Sequence, residues 1–123
     1  MIRIAVTGMG KERIAQLANA AGQGRVEAVV RGDFDAAMAI KNGQADYYIG
    51  ACQSGAGGAL GVANAILGSA NVARLSGAGS GAPEPERIGA VVAGGTSAFG
   101  LAHSHIEAVV PELVRAIVAR DGD

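Results

Sequence analysis

Asp46-Tyr47-Tyr48-Ile49-Gly50-Ala51-Cys52-Gln53-Ser54-Gly55-Ala56-Gly57-Gly58 is the stretch that decides how this chain folds. An apolar run of strand length, Asp46–Ala51, breaks into a turn of glycines and small polar residues, Cys52–Gly58. A helix is expected to open after it, near Ala59, and to run to Leu67. Strand, glycine turn and helix in that order form the repeating unit of a parallel sheet.

The alternation continues outward. On the amino-terminal side, Ile2–Thr7 reads as a strand ending in Thr7-Gly8-Met9-Gly10. Ile14, Leu17, Ala18 and Ala21 then recur at helical spacing, stopped by Gly22 and Gly24, and Arg25–Arg31 forms a second strand. Asp33 reads as the N-cap of a helix carrying Phe34, Ala37 and Met38 on one face and ended by Asn42-Gly43. On the carboxyl side, Asn71–Leu75 is a fourth strand and Ser76–Glu86 a surface loop. Pro85 opens a short helix through Val91, and Ser97–Leu101 is the last strand. Ile106, Val109, Val110, Leu113, Val114, Ile117 and Val118 mark an amphipathic helix, which Pro111 is expected to kink or restart.

Together these elements predict one α/β domain over residues 1–123, a doubly wound, mostly parallel sheet of about five strands with helices on both faces. The expected strand order is 2-1-3-4-5, in which the crossover direction reverses between the first and third strands. Ligands of open α/β sheets bind at that reversal. Thr7–Lys11 and Cys52–Gly58 would flank it.

Composition narrows the function classes. The chain is 50% apolar yet has no Trp, and its 20 glycines speak for close backbone packing. A net charge of −1, without a basic patch interleaved with aromatics, argues against nucleic acid. One cysteine excludes an internal disulfide and fits a reducing compartment. Met1–Ile4 lacks a signal-peptide layout, and Ala56–Ala73 is too rich in Gly and Asn for a membrane span, so a cytoplasmic protein is expected.

The candidate site residues follow from the two loops. Gly55, Gly57 and Gly58 let the backbone approach a ligand, while Gln53 and Ser54 add side-chain donors. The amino terminus of the helix beyond them suits a phosphate or carboxylate. Thr7, Gly8, Gly10 and Lys11 would reach the same crevice, and Arg74 and Ser76 could form a second anion contact. Cys52, at a strand end before a helix amino terminus, favours a thiolate acting as base or nucleophile. His103, after the last strand, is the candidate acid/base group. His103 and His105 stand two apart and share no helix face, so neither a metal nor a cofactor is expected. The expected partner is a small anionic metabolite, and the small apolar helix faces leave room for a homo-oligomer.

Lys41-x-Gly43-x-x-Asp46-Tyr47-Tyr48-Ile49-Gly50-Ala51-Cys52-x-Ser54-Gly55-Ala56-Gly57 resembles the central motif of the YhfU-like family of bacterial proteins, with Asp35-Ala36-Ala37-Met38 and Ala98-Phe99-Gly100-Leu101 extending the likeness. That resemblance implies no established activity. The turn Cys52-Gln53-Ser54-Gly55-x-Gly57, followed by Ala63-Asn64, is also similar to the Cys-Gly-Thr-Gly turn and Ala-Asn helix of type B ribose-5-phosphate isomerases. By that resemblance Cys52 would be a proton-abstracting base, with Ser54 and Gly55 near the oxyanion. Gln53 stands where those enzymes have glycine, and Thr7-Gly8-Met9-Gly10 where they carry an Asp-His pair. Three readings stay open: a binder of an anionic metabolite, an isomerase-like enzyme, and a phosphocarrier or accessory subunit of a sugar transport system. The last resembles small phosphotransferase components whose cysteine follows the first strand, a loop that has none here.

Overall fold

The computed structural model describes residues 1–53, 57–77, 79 and 81–121. Strands and helices alternate as β1 (Ile2–Gly8), α1 (Lys11–Gly22), β2 (Val26–Val30), α2 (Asp33–Lys41), β3 (Tyr47–Cys52), α3 (Gly58–Leu67), β4 (Val72–Arg74), α4 (Pro85–Ala93), β5 (Ala98–Ala102) and α5 (Ile106–Asp121). All five strands lie in one sheet and every pairing is parallel. β1 is an inner strand, with Val6 level with Val30 on one side and Ile49 on the other.

The order is β2-β1-β3-β5-β4, so the expected 2-1-3-4-5 is corrected at its far end. Burial explains the exchange. β5 is Ala-Phe-Gly-Leu-Ala, buried along its whole length, and only an inner position covers both of its faces. β4 spans three residues ending in exposed Arg74, which suits an edge. The reversal between β1 and β3 is retained.

The two faces of the sheet are packed differently. One buries Ile4, Val6, Ile49, Phe99 and Leu101 under Ile14 of α1, Ile88 and Val92 of α4, and Val110, Leu113 and Ile117 of α5. The other is lined by alanine: Ala5 and Ala98 with Tyr48, under Ala36, Ala37 and Ala39 of α2 and Ala63 of α3. Small side chains let α3 sit close enough that a Cβ on Gly50 would lie 2.9 Å from that of Ala59. Phe34, expected on the buried face of α2, is 62% exposed, because α2 turns Ala36, Ala37 and Ala39 to the sheet instead. α5 runs unbroken through Pro111, which forgoes only its own amide bond.

Side chains lock the margins. Arg3 donates through its guanidinium to Gly43 O (2.9 Å) and to Asp46, tying β1 to the approach to β3. Asn19 of α1 accepts from Ala28 N–H (2.9 Å) and donates to Ala28 O (3.4 Å).

Tyr47 stacks on Phe99, donates its hydroxyl proton to Asp121 and accepts from Arg120 Nη1 (3.3 Å). Burial, then the hydrogen bond and charge of Asp121, push its pKa from 10.0 up to about 12. Tyr48 is raised as well, first by burial and then by Asp33 and Cys52. The folded state therefore keeps protons that the unfolded chain releases above the ordinary tyrosine value, and stability falls as pH rises through that window. Urea unfolding compared at about pH 9 and about pH 11 should show this loss, smaller in Tyr47→Phe than in the native chain. Equal losses in the two proteins would contradict it.

Candidate functional site

A crevice lies at the carboxyl ends of β1 and β3. Gly8 of β1 is level with Ala51 of β3, and Met9 N–H donates to Ala51 O (2.8 Å), which pins the first turn to the third strand. Above that floor is a cavity of about 420 Å³ lined by Thr7, Gly8, Met9, Lys11, Gly32, Asp33, Ala51, Cys52, Gly58 and Ala59.

Three helices begin around it. Their N-caps are Gly10 for α1, Gly32 for α2 and Gly57 for α3, and none makes a side-chain capping hydrogen bond. The first intrahelical bonds run from Ile14 N–H to Gly10 O, Ala36 N–H to Gly32 O and Gly61 N–H to Gly57 O, each 2.8–2.9 Å. The preceding amides of each first turn have no partner in the helical ladder, and they carry the positive end of the dipole. Glycine caps supply no side chain of their own to those donors.

Individual side chains divide the crevice. Lys11 lines it and makes no ion pair or hydrogen bond among the described residues. Thr7 is buried, and its Oγ1 donates to Asp33 Oδ1 (2.5 Å). Asp33 Oδ2 lies 3.9 Å from where a Cβ on Gly58 would be. The Cys52 thiol sulfur accepts from Gly57 N–H (3.0 Å), so one amide of the turn is met from within the protein. Tyr48, beneath, gives its hydroxyl proton to Ala59 O and leaves none for Asp33.

Of the residues expected from sequence, Thr7, Gly8, Lys11, Cys52 and Gly58 line this crevice together. Gly10 and Gly57 cap helices at its edge, and Gln53 is exposed beside it. Ser54 and Gly55 lie outside the described residues. Arg74 and Ser76 stand apart, two strands from β1's partner side, where they line a separate cavity of about 300 Å³ with Gly77, Pro83 and Arg87. Ser76 Oγ there accepts from Ala102 N–H (3.1 Å), and Arg87 Nη1 donates to Leu75 O (2.8 Å). His103 leaves the sheet beside Cys52, since Ala102 is level with that cysteine, but it is exposed and does not line the crevice.

Asp33 is the residue that sequence reasoning misplaced. It was expected to cap α2; Gly32 holds that position, and the Asp33 carboxylate crosses to Thr7 instead. The strand order carried the missing signal, because it sets the end of β2 beside the end of β1 on one rim. Among the described residues, no helix is long and apolar enough to cross a membrane.

Comparison with known proteins fits this architecture. The type B ribose 5-phosphate isomerase of Trypanosoma brucei superposes with a TM-score of 0.71 at 19% identity, covering 96% of this chain and 85% of that one. The Leishmania infantum enzyme gives 0.70 at 16% identity, over 95% and 84%. These likenesses establish the fold. Kinship is established by sequence. YhfU proteins of Escherichia coli K12 and Shigella flexneri are each 40% identical over 114 residues, 93% of this chain and 97% of theirs. Residues 2–117 also match one family along nearly the whole length. The chain therefore belongs to that family, DUF2620, a protein family of unknown function, as the Asp46–Gly57 motif led one to expect.

Proposed function

We propose that this protein binds a small metabolite bearing a phosphate or carboxylate in the crevice between β1 and β3. The observation that supports the reading is the convergence of three helix amino termini without side-chain caps on a cavity that also holds Lys11. Such termini favour negative charge, and an ammonium group at the same place adds to the attraction. The solved neighbours are, by name, isomerases of ribose 5-phosphate, a ligand with such a group. A melting-temperature screen of phosphorylated and carboxylated metabolites tests the proposal, because a ligand of the folded state raises stability with the logarithm of its concentration over Kd. Lys11→Met should weaken the best ligand about tenfold or more, the usual worth of a hydrogen bond to a charged group. If no anion raises the melting temperature, the reading fails.

A second reading is favoured by one observation, the presence of Cys52 on the same crevice wall. In it Cys52 takes a proton from a bound sugar phosphate in an aldose–ketose type transfer. Cys52→Ala should then abolish turnover while changing affinity less than Lys11→Met does. A panel of sugar phosphates that the native protein leaves unchanged would dismiss it.

A further inference from the structure

We infer that Asp33, held by Thr7, selects ligands that carry a hydrogen-bond donor, a hydroxyl or an ammonium, at a distance from their anionic group. The inference rests on the anion reading above and adds a requirement to it. A carboxylate only accepts hydrogen bonds, and a hydroxyl has a single proton to give. Thr7 has committed its proton to Asp33 Oδ1. Its oxygen is thereby left as an acceptor. Asp33 Oδ2 has no hydrogen-bond partner among the described residues, and Tyr48, the nearest phenol, is turned to Ala59 O. The side chains on this wall, Thr7 and Asp33, therefore only accept, beside the first-turn amides of α2. The other, Lys11 with the first-turn amides of α1, donates only.

A purely anionic ligand satisfies the donor wall and leaves a carboxylate facing it across a small cavity. That juxtaposition is repulsive and leaves Asp33 desolvated without a partner. A ligand with an anion at one end and a donor at the other satisfies both walls. Sites built to hydrogen-bond a ligand group discriminate strongly against the analogue that lacks it.

Three phosphates of nearly equal size separate the outcomes: propyl phosphate, 2-hydroxyethyl phosphate and 2-aminoethyl phosphate, titrated calorimetrically against the full chain with inorganic phosphate as reference. At least one donor-bearing probe should bind about tenfold or more tightly than propyl phosphate. Which one does so tells hydroxyl from ammonium recognition. In Asp33→Asn and Asp33→Ala the ratio should fall to within about twofold, and the comparison in the native protein stands even where a variant does not fold. Equal affinity for all three probes in the native protein overturns this inference and leaves anion binding intact. Failure of every probe, inorganic phosphate included, overturns this inference, and together with a carboxylate screen that leaves the melting temperature unchanged it overturns the anion reading too.

Discussion

Gly8→Ala is expected to cost this protein a large part of its folding free energy and the ligand crevice with it. Gly8 sits at φ +88°, and a Cβ there would lie 2.0 Å from Ala51 O and 3.0 Å from Ala51 C and N. Those neighbours are main-chain atoms of the adjacent strand, which cannot rotate aside. The left-handed conformation alone costs an L-residue about 1–2 kcal/mol. Forcing the strands apart adds about 1–3 kcal/mol. The bond from Met9 N–H to Ala51 O would go with it, a further ~1 kcal/mol. Against a total stability of about 5–15 kcal/mol, a loss of this size leaves a marginal protein. Urea unfolding measures it, and a midpoint close to that of the native chain would show that the Gly8–Ala51 contact is not what holds these strands together. Where the variant survives, its thermal response to inorganic phosphate should be lost, since β1 and β3 form the crevice floor.

Phe99→Ala is expected to destabilise about as much and to spare the site. Phe99 is fully buried in β5, level with Ile49 and Ala73, with its ring 6.2 Å from that of Tyr47. Removing such a ring from a packed core costs about 3–5 kcal/mol. In a chain of this length the melting temperature should fall by on the order of 10–20 °C. The crevice does not touch Phe99, so the stabilisation by a bound anion should persist in the folded fraction. The contrast between the two variants separates packing from binding. Loss of the anion response in Phe99→Ala would mean that the larger core shapes the site directly.

Which parts of this architecture could be read from residues alone follows from how local each signal is. Strand and helix alternation is written in short-range periodicity, and so is the glycine turn after β3. The reversal between β1 and β3 follows from connectivity rules, so Thr7, Lys11 and Cys52 could be brought together before any coordinates. The position of β4 depends on which strand gains more from two-sided burial. Ala98-Phe99-Gly100-Leu101-Ala102 has no polar residue, whereas β4 ends in Arg74, a comparison the expected order did not make. Asp33 misled for the opposite reason. Local rules make an aspartate at a helix start a cap, but its partner is Thr7, 26 residues earlier and adjacent only in the sheet. Phe34 followed the same course: its spacing matched a buried face, and the alanine packing of α2 turned it outward.

The double hydrogen bond from Asn19 to Ala28 has a consequence for assembly. β2 is one terminal strand of the sheet, and the outward peptide groups at its midpoint are the natural place for a strand of another molecule to add. The carboxamide occupies that place on both sides of the residue, like a wedge in a zip. At the opposite end, β4 offers a rail of three residues, too short for lasting adhesion. Fibrous stacking through sheet margins is thereby discouraged.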